Sequence, residues 1–192
     1  MPSMNGRPLV VGISGASGAI YGLHLLQALR RLEIPAYLVM TEAARKTFAV
    51  EMGRSPDEME HLATRTFAAD DFTAPIASGS FPTRGMIVAP CSIKSLSAIA
   101  NSFADNLLVR AADVTLKEGR PLLLMVRETP LHLGHLRLMV RAAEMGAILF
   151  PPVPALYQHP SSLEAMVDAT VGRMLARLGI ENDLYRPWGT ES

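Results

Sequence analysis

Five short runs of this chain are apolar from end to end: Leu9 to Ile13, Ala36 to Met40, Met86 to Ala89, Leu122 to Val126 and Ala147 to Phe150. Uninterrupted apolar runs of this length predict strands covered on both faces, as in a parallel sheet. Between them the apolar positions switch to helical spacing. Ile20, Leu23, Leu26 and Leu29 mark one amphipathic helix, and Leu133, Leu136, Val140 and Ala143 mark another. The last helix carries the stripe Leu163, Met166, Val167, Val171, Met174, Leu175 and Leu178; Ser161 with Glu164 makes a capping box before it and Gly179 closes it. Strands alternating with crossover helices predict an α/β fold: one doubly wound parallel-sheet domain over residues 1–180. Residues 181–192 form a C-terminal tail with no core of its own. In such sheets ligands bind at the carboxyl ends of the strands.

Composition narrows the function classes. The 192 residues carry 18 Lys or Arg against 18 Asp or Glu, so net charge is zero, and no basic cluster marks a nucleic-acid surface. With 49% apolar and 19% charged residues, below the roughly 25% charged share of an average chain, disorder is excluded. No apolar run reaches the roughly 18 residues of a membrane-spanning helix, and Met1 to Arg7 carry no signal-peptide core. The single cysteine, Cys91, fits a reducing cytoplasm. Low charge with 11 Met and many Ala hints at surface covered by other subunits.

Chemistry-bearing residues cluster where the strands end. Gly12 to Ala19 is a small-residue turn into a helix, able to bring backbone N–H groups to a phosphate, or simply a tight turn. It lacks both the dinucleotide glycine spacing and the Walker lysine. Thr41-Glu42 ends the second strand, where the hydroxyl can cap the next helix, meet a ribityl chain, or do both. Glu51, farther along that helix, reads as solvated. Cys91 and Ser92 to Ser95 open another helix; the thiol is either a nucleophile of lowered pKa or, the preferred reading, a small buried residue. Arg127-Glu128 follows the fully apolar fourth strand. Arg110 and Lys117 lie two turns apart on one helical face. His132 and His135 have metal-chelating spacing, but no further ligand completes a four-ligand site, so no metal is assigned. Tyr157, Arg173 and the sole tryptophan, Trp188, fall in the last third, and an aromatic as large as Trp in a tail asks for a partner surface.

In order along the chain, Gly12 to Gly22 (GISGASGAIYG), Ala77 to Ser80 (ASGS), Pro90 to Ser97 (PCSIKSLS), Arg110 to Lys117 (RAADVTLK), Arg120 to Pro130 (RPLLLMVRETP), Pro151 to Tyr157 (PPVPALY) and the Arg-Pro-Trp of the tail resemble the flavin prenyltransferases, the UbiX family. The resemblance implies a flavodoxin-like or Rossmann-like domain assembled as a homododecamer with active sites between subunits. It implies transfer of a dimethylallyl group from dimethylallyl phosphate to reduced FMN. The product, prenylated FMN, would serve a UbiD-type decarboxylase in ubiquinone synthesis or aromatic acid breakdown. By position it implies FMN contacts at Gly15, Ala16, Ser17, Thr41, Ser92, Ile93, Lys94, Ser95 and Arg127. Tyr157 and Arg173 would hold the prenyl phosphate, helped by Arg110, Lys117 and Glu128, partly from neighbouring chains. Ser17 and Glu51 would assist proton transfer, and Trp188 would offer an aromatic face to the reacting group.

The residue types suit that reaction. Breaking the allylic carbon–oxygen bond puts negative charge on phosphate, which fixed Arg, Lys and Tyr donors stabilise. An aromatic face stabilises the allylic cation by about 0.5–2 kcal/mol. Cationic side chains around a monophosphate make a metal unnecessary. Flavin-dependent cysteine decarboxylases are a rival reading, but they use an early catalytic His and an Asn-x-x-Met loop, whereas His24 here falls inside the first helix. A non-catalytic FMN carrier would not need a second cationic set. Direct decarboxylation of a phenolic acid ranks below both.

Overall fold

The computed structural model describes residues 6–189, so Met1 to Asn5 and the last three residues of the tail lie outside the described residues. The chain runs β1 (Leu9–Ile13), α1 (Ala19–Arg31), β2 (Ala36–Met40), α2 (Glu42–Met52), α3 (Asp57–Leu62), β3 (Arg65–Phe67), β4 (Gly85–Cys91), α4 (Ile93–Ala100), α5 (Leu107–Lys117), β5 (Leu122–Val126), α6 (Leu133–Glu144), β6 (Ile148–Leu149) and α7 (Leu163–Arg177). All pairings are parallel, in the order β3-β2-β1-β4-β5-β6. That is the doubly wound Rossmann arrangement, with its reversal point between β1 and β4.

Successive strand side chains point to opposite faces, which gives the sheet two cores. Leu9, Val11, Ile13, Leu38, Met40, Ile87 and Met125 pack under α1, α2 and α7. Val10, Val39, Met86, Val88, Leu122, Leu124 and Val126 pack under α4 and α5. β1, β4 and β5 are buried along their whole lengths, as their unbroken apolar runs require.

The sequence reading and the structure part at the ends of β4 and β6, at β3, at the α7 cap and in α6. The β4 strand extends to Gly85 and Cys91 on either side of its apolar run, and β6 shrinks to two residues at the sheet edge. The edge strand β3 is only three residues long and opens on an exposed Arg, so no apolar run announces it. The cap of α7 is Ser162, whose hydroxyl accepts from the Ala165 N–H, one residue beyond the predicted Ser161. In α6 the predicted stripe faces outward: Leu133, Leu136 and Val140 are 59%, 46% and 57% exposed, and Ala143 is exposed too. The helix is seated by Ala142, Leu138 and Met139 instead. Two apolar stripes run along α6, and spacing alone does not say which one meets the sheet.

The tail borrows the core of the domain. Just before it Ile180 is buried, and within it Leu184 packs on the α1–α7 side. Asn182 donates to the Gly172 carbonyl and accepts from the Leu184 N–H, and Arg31 pairs with Asp183 at 2.7 Å.

Phe48, fully buried on α2, sets the scale of the core. Phe48→Ala is expected to lower stability by about 3–5 kcal/mol, read as a fall in the urea midpoint. Val50→Ala, two residues on at an exposed position, stays within about 0.5 kcal/mol.

Candidate active site

The loops after β1 and β4 separate at the reversal point, and one side chain ties them together. Ser14, 1% exposed, donates from Oγ to the Pro90 carbonyl at 2.9 Å and accepts from the Ser92 N–H at 2.7 Å. This clasp fixes the start of α4 against the first loop. A crevice of about 460 Å³ opens beside it, lined by Gly15, Thr41, Glu42, Ala43, Ala69, Ser92, Lys94, Ser95, Ala98, Asp105, Asn106 and Val109. Gly15 has to be glycine here, because a Cβ would overlap the side chain of Ala43.

Three helices begin at this crevice, each with a side-chain cap. Thr41 accepts from Ala44 N–H for α2, Ser92 from Ser95 N–H for α4, and Asn106 from Val109 N–H for α5. Each cap satisfies one of a helix's first free N–H groups and leaves others for an anion. The N-terminus of α1 differs. There Glu51 reaches over from α2, and its carboxylate accepts from Gly18 N–H at 3.0 and 3.1 Å and from Ala19 N–H at 2.9 Å. Gly18 sits at φ 100°, a left-handed conformation natural to glycine, which turns these N–H groups toward the carboxylate. An anion therefore finds donors at α2, α4 and α5 rather than at α1.

Burial alone would raise the Glu51 pKa. The Ser17 hydroxyl, the Ala19 and Gly18 N–H groups and the charge of Arg127 outweigh it and hold the carboxyl below its ordinary value. Glu51 is thus an anchored anion joined to Ser17, not the freely solvated glutamate read from the sequence. Arg127 follows β5, donates its N–H to the Cys91 carbonyl, and its charge also acts on Tyr21, whose pKa burial raises. Ser17, Tyr21, Glu51 and Arg127 thus form one polar cluster around the start of α1.

The other predicted residues lie in separate places. Ile93 and Lys94 line an adjoining apolar groove between α4 and α6, with Lys94 shared by groove and crevice. Glu128 is exposed and accepts from the Thr129 N–H. Arg110 donates to the Ala77 carbonyl and pairs with Asp113, while Lys117 pairs with Glu118. At 1.5 Å per residue, Lys117 stands about 15 Å along α5 from the end that lines the crevice. Tyr157 and Trp188 meet edge to face at 5.0 Å, with Trp188 80% exposed, and the Arg173 guanidinium lies over the Tyr185 ring at 5.1 Å. Ser14, Tyr21 and Asn106 were not singled out from the sequence. Asn106 had a readable signal, an N-cap residue just before the apolar run Leu107-Leu108.

Cys91 is fully buried and its thiol is pushed up to about 12, so it packs β4 and is no nucleophile. His132 caps α6 through its Nδ1, its ring tilted 35° to that of His135 with centroids 3.6 Å apart. Among the described residues no group of three or more His, Cys, Asp or Glu could hold a metal. His24 lies inside α1 with Nδ1 2.7 Å from Asp168 of α7, where it joins two helices.

Comparison with known proteins places this architecture. A family model described as Flavoprotein matches residues 2–174. The flavin prenyltransferase UbiX of Escherichia coli K12 is 56% identical over 185 residues, 95% of this chain and 98% of the relative. This chain belongs to the UbiX flavin prenyltransferase family. The UbiX of Thauera aromatica is 53% identical over 94% of this chain and 93% of its own length. Among solved structures, AnUbiX in complex with FMN and dimethylallyl pyrophosphate superposes with a TM-score of 0.94 at 43% identity, covering 97% of this chain and 100% of the other. A dodecameric FMN-dependent UbiX-like decarboxylase from Escherichia coli O157:H7 gives 0.92 at 43% identity, covering 96% and 100%. This chain's crevice opens at the β1–β4 reversal, where the N-termini of α2, α4 and α5 meet.

Two outcomes follow from this geometry. The Glu51 contribution to stability is fully present above the unfolded value of 4.5 and is lost as pH falls through its lower folded value. Melting temperature followed from neutral to acid pH therefore drops in wild type by an increment that Glu51→Gln lacks; identical curves would contradict the anchoring. Cys91 should stay unmodified by iodoacetamide at pH 8 in the folded protein and react once denatured, as mass spectrometry reports.

Proposed function

We propose that this chain transfers a dimethylallyl group from dimethylallyl phosphate to reduced FMN in the cytoplasm, giving prenylated FMN for a UbiD-type decarboxylase. The observation that carries the reading is the crevice at the β1–β4 reversal, where the helix N-termini at Thr41, Ser92 and Asn106 suit a phosphate. The Ser17–Glu51 pair, two residues beyond the crevice-lining Gly15, suits proton transfer. Near-full-length likeness to named flavin prenyltransferases supports the assignment.

When bound, reduced FMN supplies the nucleophile that takes the five-carbon group. The protein's residues do the rest. Gly15, Ala16 and Ser17 let the backbone approach the ring system, and Thr41 with Ser92 to Ser95 receives the phosphate end. Arg127 sets positive charge beside the ring. As the allylic carbon–oxygen bond breaks, the electron pair leaves with phosphate, and Arg110, Lys117, Tyr157 and Arg173 neutralise it, with Glu128 as an auxiliary contact. These fixed cations do the work a metal does for a diphosphate. Trp188 turns an aromatic face toward the departing cation. The proton released on ring closure passes through the Ser17 hydroxyl to Glu51 or to the freed phosphate.

Because Lys117 stands about 15 Å along α5 from the crevice end, the donor site takes Lys117 from a neighbouring chain. A closed homo-oligomer, a dodecamer as in the solved Escherichia coli O157:H7 relative, would bring it there. The exposed apolar stripe of α6 gives such an assembly surface to bury. The tail, residues 181–192, contributes Trp188 to the site.

The same solved relative is described as a decarboxylase, which keeps direct decarboxylation as a second reading. One experiment separates them. The pure protein is incubated anaerobically with dithionite-reduced FMN and dimethylallyl phosphate, and the extracted flavin is weighed by mass spectrometry. A gain of five carbons is expected. Unchanged FMN together with carbon dioxide release from a phenolic acid would establish the second reading instead.

A further inference from the structure

We infer that Arg120 is a positioning residue of the donor site, holding the loop of residues 77–83 so that Arg110 and Lys117 are set before the donor arrives. This rests on the reading above, in which those two cations grip the donor phosphate.

Arg120 follows the end of α5, where its own N–H donates to the Thr115 carbonyl. Its guanidinium turns into the preceding loop. Nη2 donates to the Gly79 carbonyl at 2.7 Å, and Nη1 donates to the Phe81 carbonyl at 2.8 Å and to Thr83 Oγ1 at 3.3 Å. A planar fork meeting several acceptors fixes direction as well as distance, which an ammonium cannot do. Arg120 is therefore occupied by acceptors of this loop.

The loop's other side carries the donor cations. The Ala77 carbonyl accepts from Arg110 Nε at 3.1 Å, and Asp113 holds the far end of that guanidinium at 3.2 Å. Gly79 lies so close to Lys117 Nζ and to the Glu118 carboxylate that a Cβ there would overlap both. The Lys117 contact and the Coulombic pull of Lys117 and Arg120 keep Glu118 ionised to lower pH than an ordinary glutamate. Loop position and cation position are thus one variable. Fixing two rotamer-rich side chains in advance removes an ordering cost from donor binding, so the effect falls on affinity.

The test uses the intact flavin-loaded oligomer, with initial rates over a range of dimethylallyl phosphate. Arg120→Gln is expected to raise the donor KM about tenfold while kcat and FMN affinity hold, the pattern of lost ground-state binding. Arg120→Lys, which can reach one acceptor, falls between. Gly79→Ala perturbs the loop from its other side with every charge retained, and it should raise the same KM; the atoms it meets are flexible side-chain ends, so the fold tolerates it. Wild-type KM in both Arg120→Gln and Gly79→Ala would overturn the inference. So would an Arg120→Gln protein that loses FMN affinity, kcat and melting temperature together, because that is a merely structural role. If Lys117→Met itself leaves the donor KM unchanged, the donor-site reading fails and the inference with it.

Discussion

The hydroxyl of Ser14 is the contact on which the site depends. At the reversal point the helices after β1 and β4 leave on opposite faces of the sheet, so their loops diverge and expose backbone groups to a buried environment. An unpaired N–H or carbonyl there is costly. Ser14 settles two at once, donating to the Pro90 carbonyl and accepting from Ser92 N–H. The divergence becomes a crevice of fixed width instead of a gap, with the start of α4 aimed into it.

Electrostatics then divides the labour. The helix that receives the phosphate in many doubly wound folds, the one after β1, is already filled by the Glu51 carboxylate. The N-termini of α2, α4 and α5 are the ones left open at the crevice, and the proposed reading assigns the flavin phosphate to them. Lys117 cannot be drawn to the same end of the same chain, since α5 carries it about 15 Å from its capped N-terminus. A chain of zero net charge, with apolar side chains exposed along α6, is built to meet copies of itself. Under the proposed function, oligomerisation is part of the chemistry and not only of stability.

Much of this was legible in the sequence because the relevant forces are local. The apolar runs from Leu9, Ala36 and Leu122 are strands of the predicted length, since burial on both faces leaves no room for polar alternation. Gly15, Ser92 and Lys94 were readable as strand-end residues, and they line the crevice. What could not be read depends on distance along the chain. Glu51 meets Gly18 across 33 residues, and no local pattern separates an anchoring glutamate from a solvated one. The three-residue β3 has too little apolar content to register, and α6 presents two stripes of which the sheet selects one. Which chain supplies each member of the donor set is a property of the assembly, beyond any single-chain pattern.

Mixed oligomers test the shared site most directly. Chains carrying Lys117→Met and chains carrying Arg173→Met are each expected to be nearly inactive alone. Co-expressed and co-assembled, with mixing verified by native mass spectrometry, they should regain prenyl transfer, because some sites then combine an intact Arg173 from one chain with an intact Lys117 from another. Mixed oligomers as inactive as their parents would contradict the account.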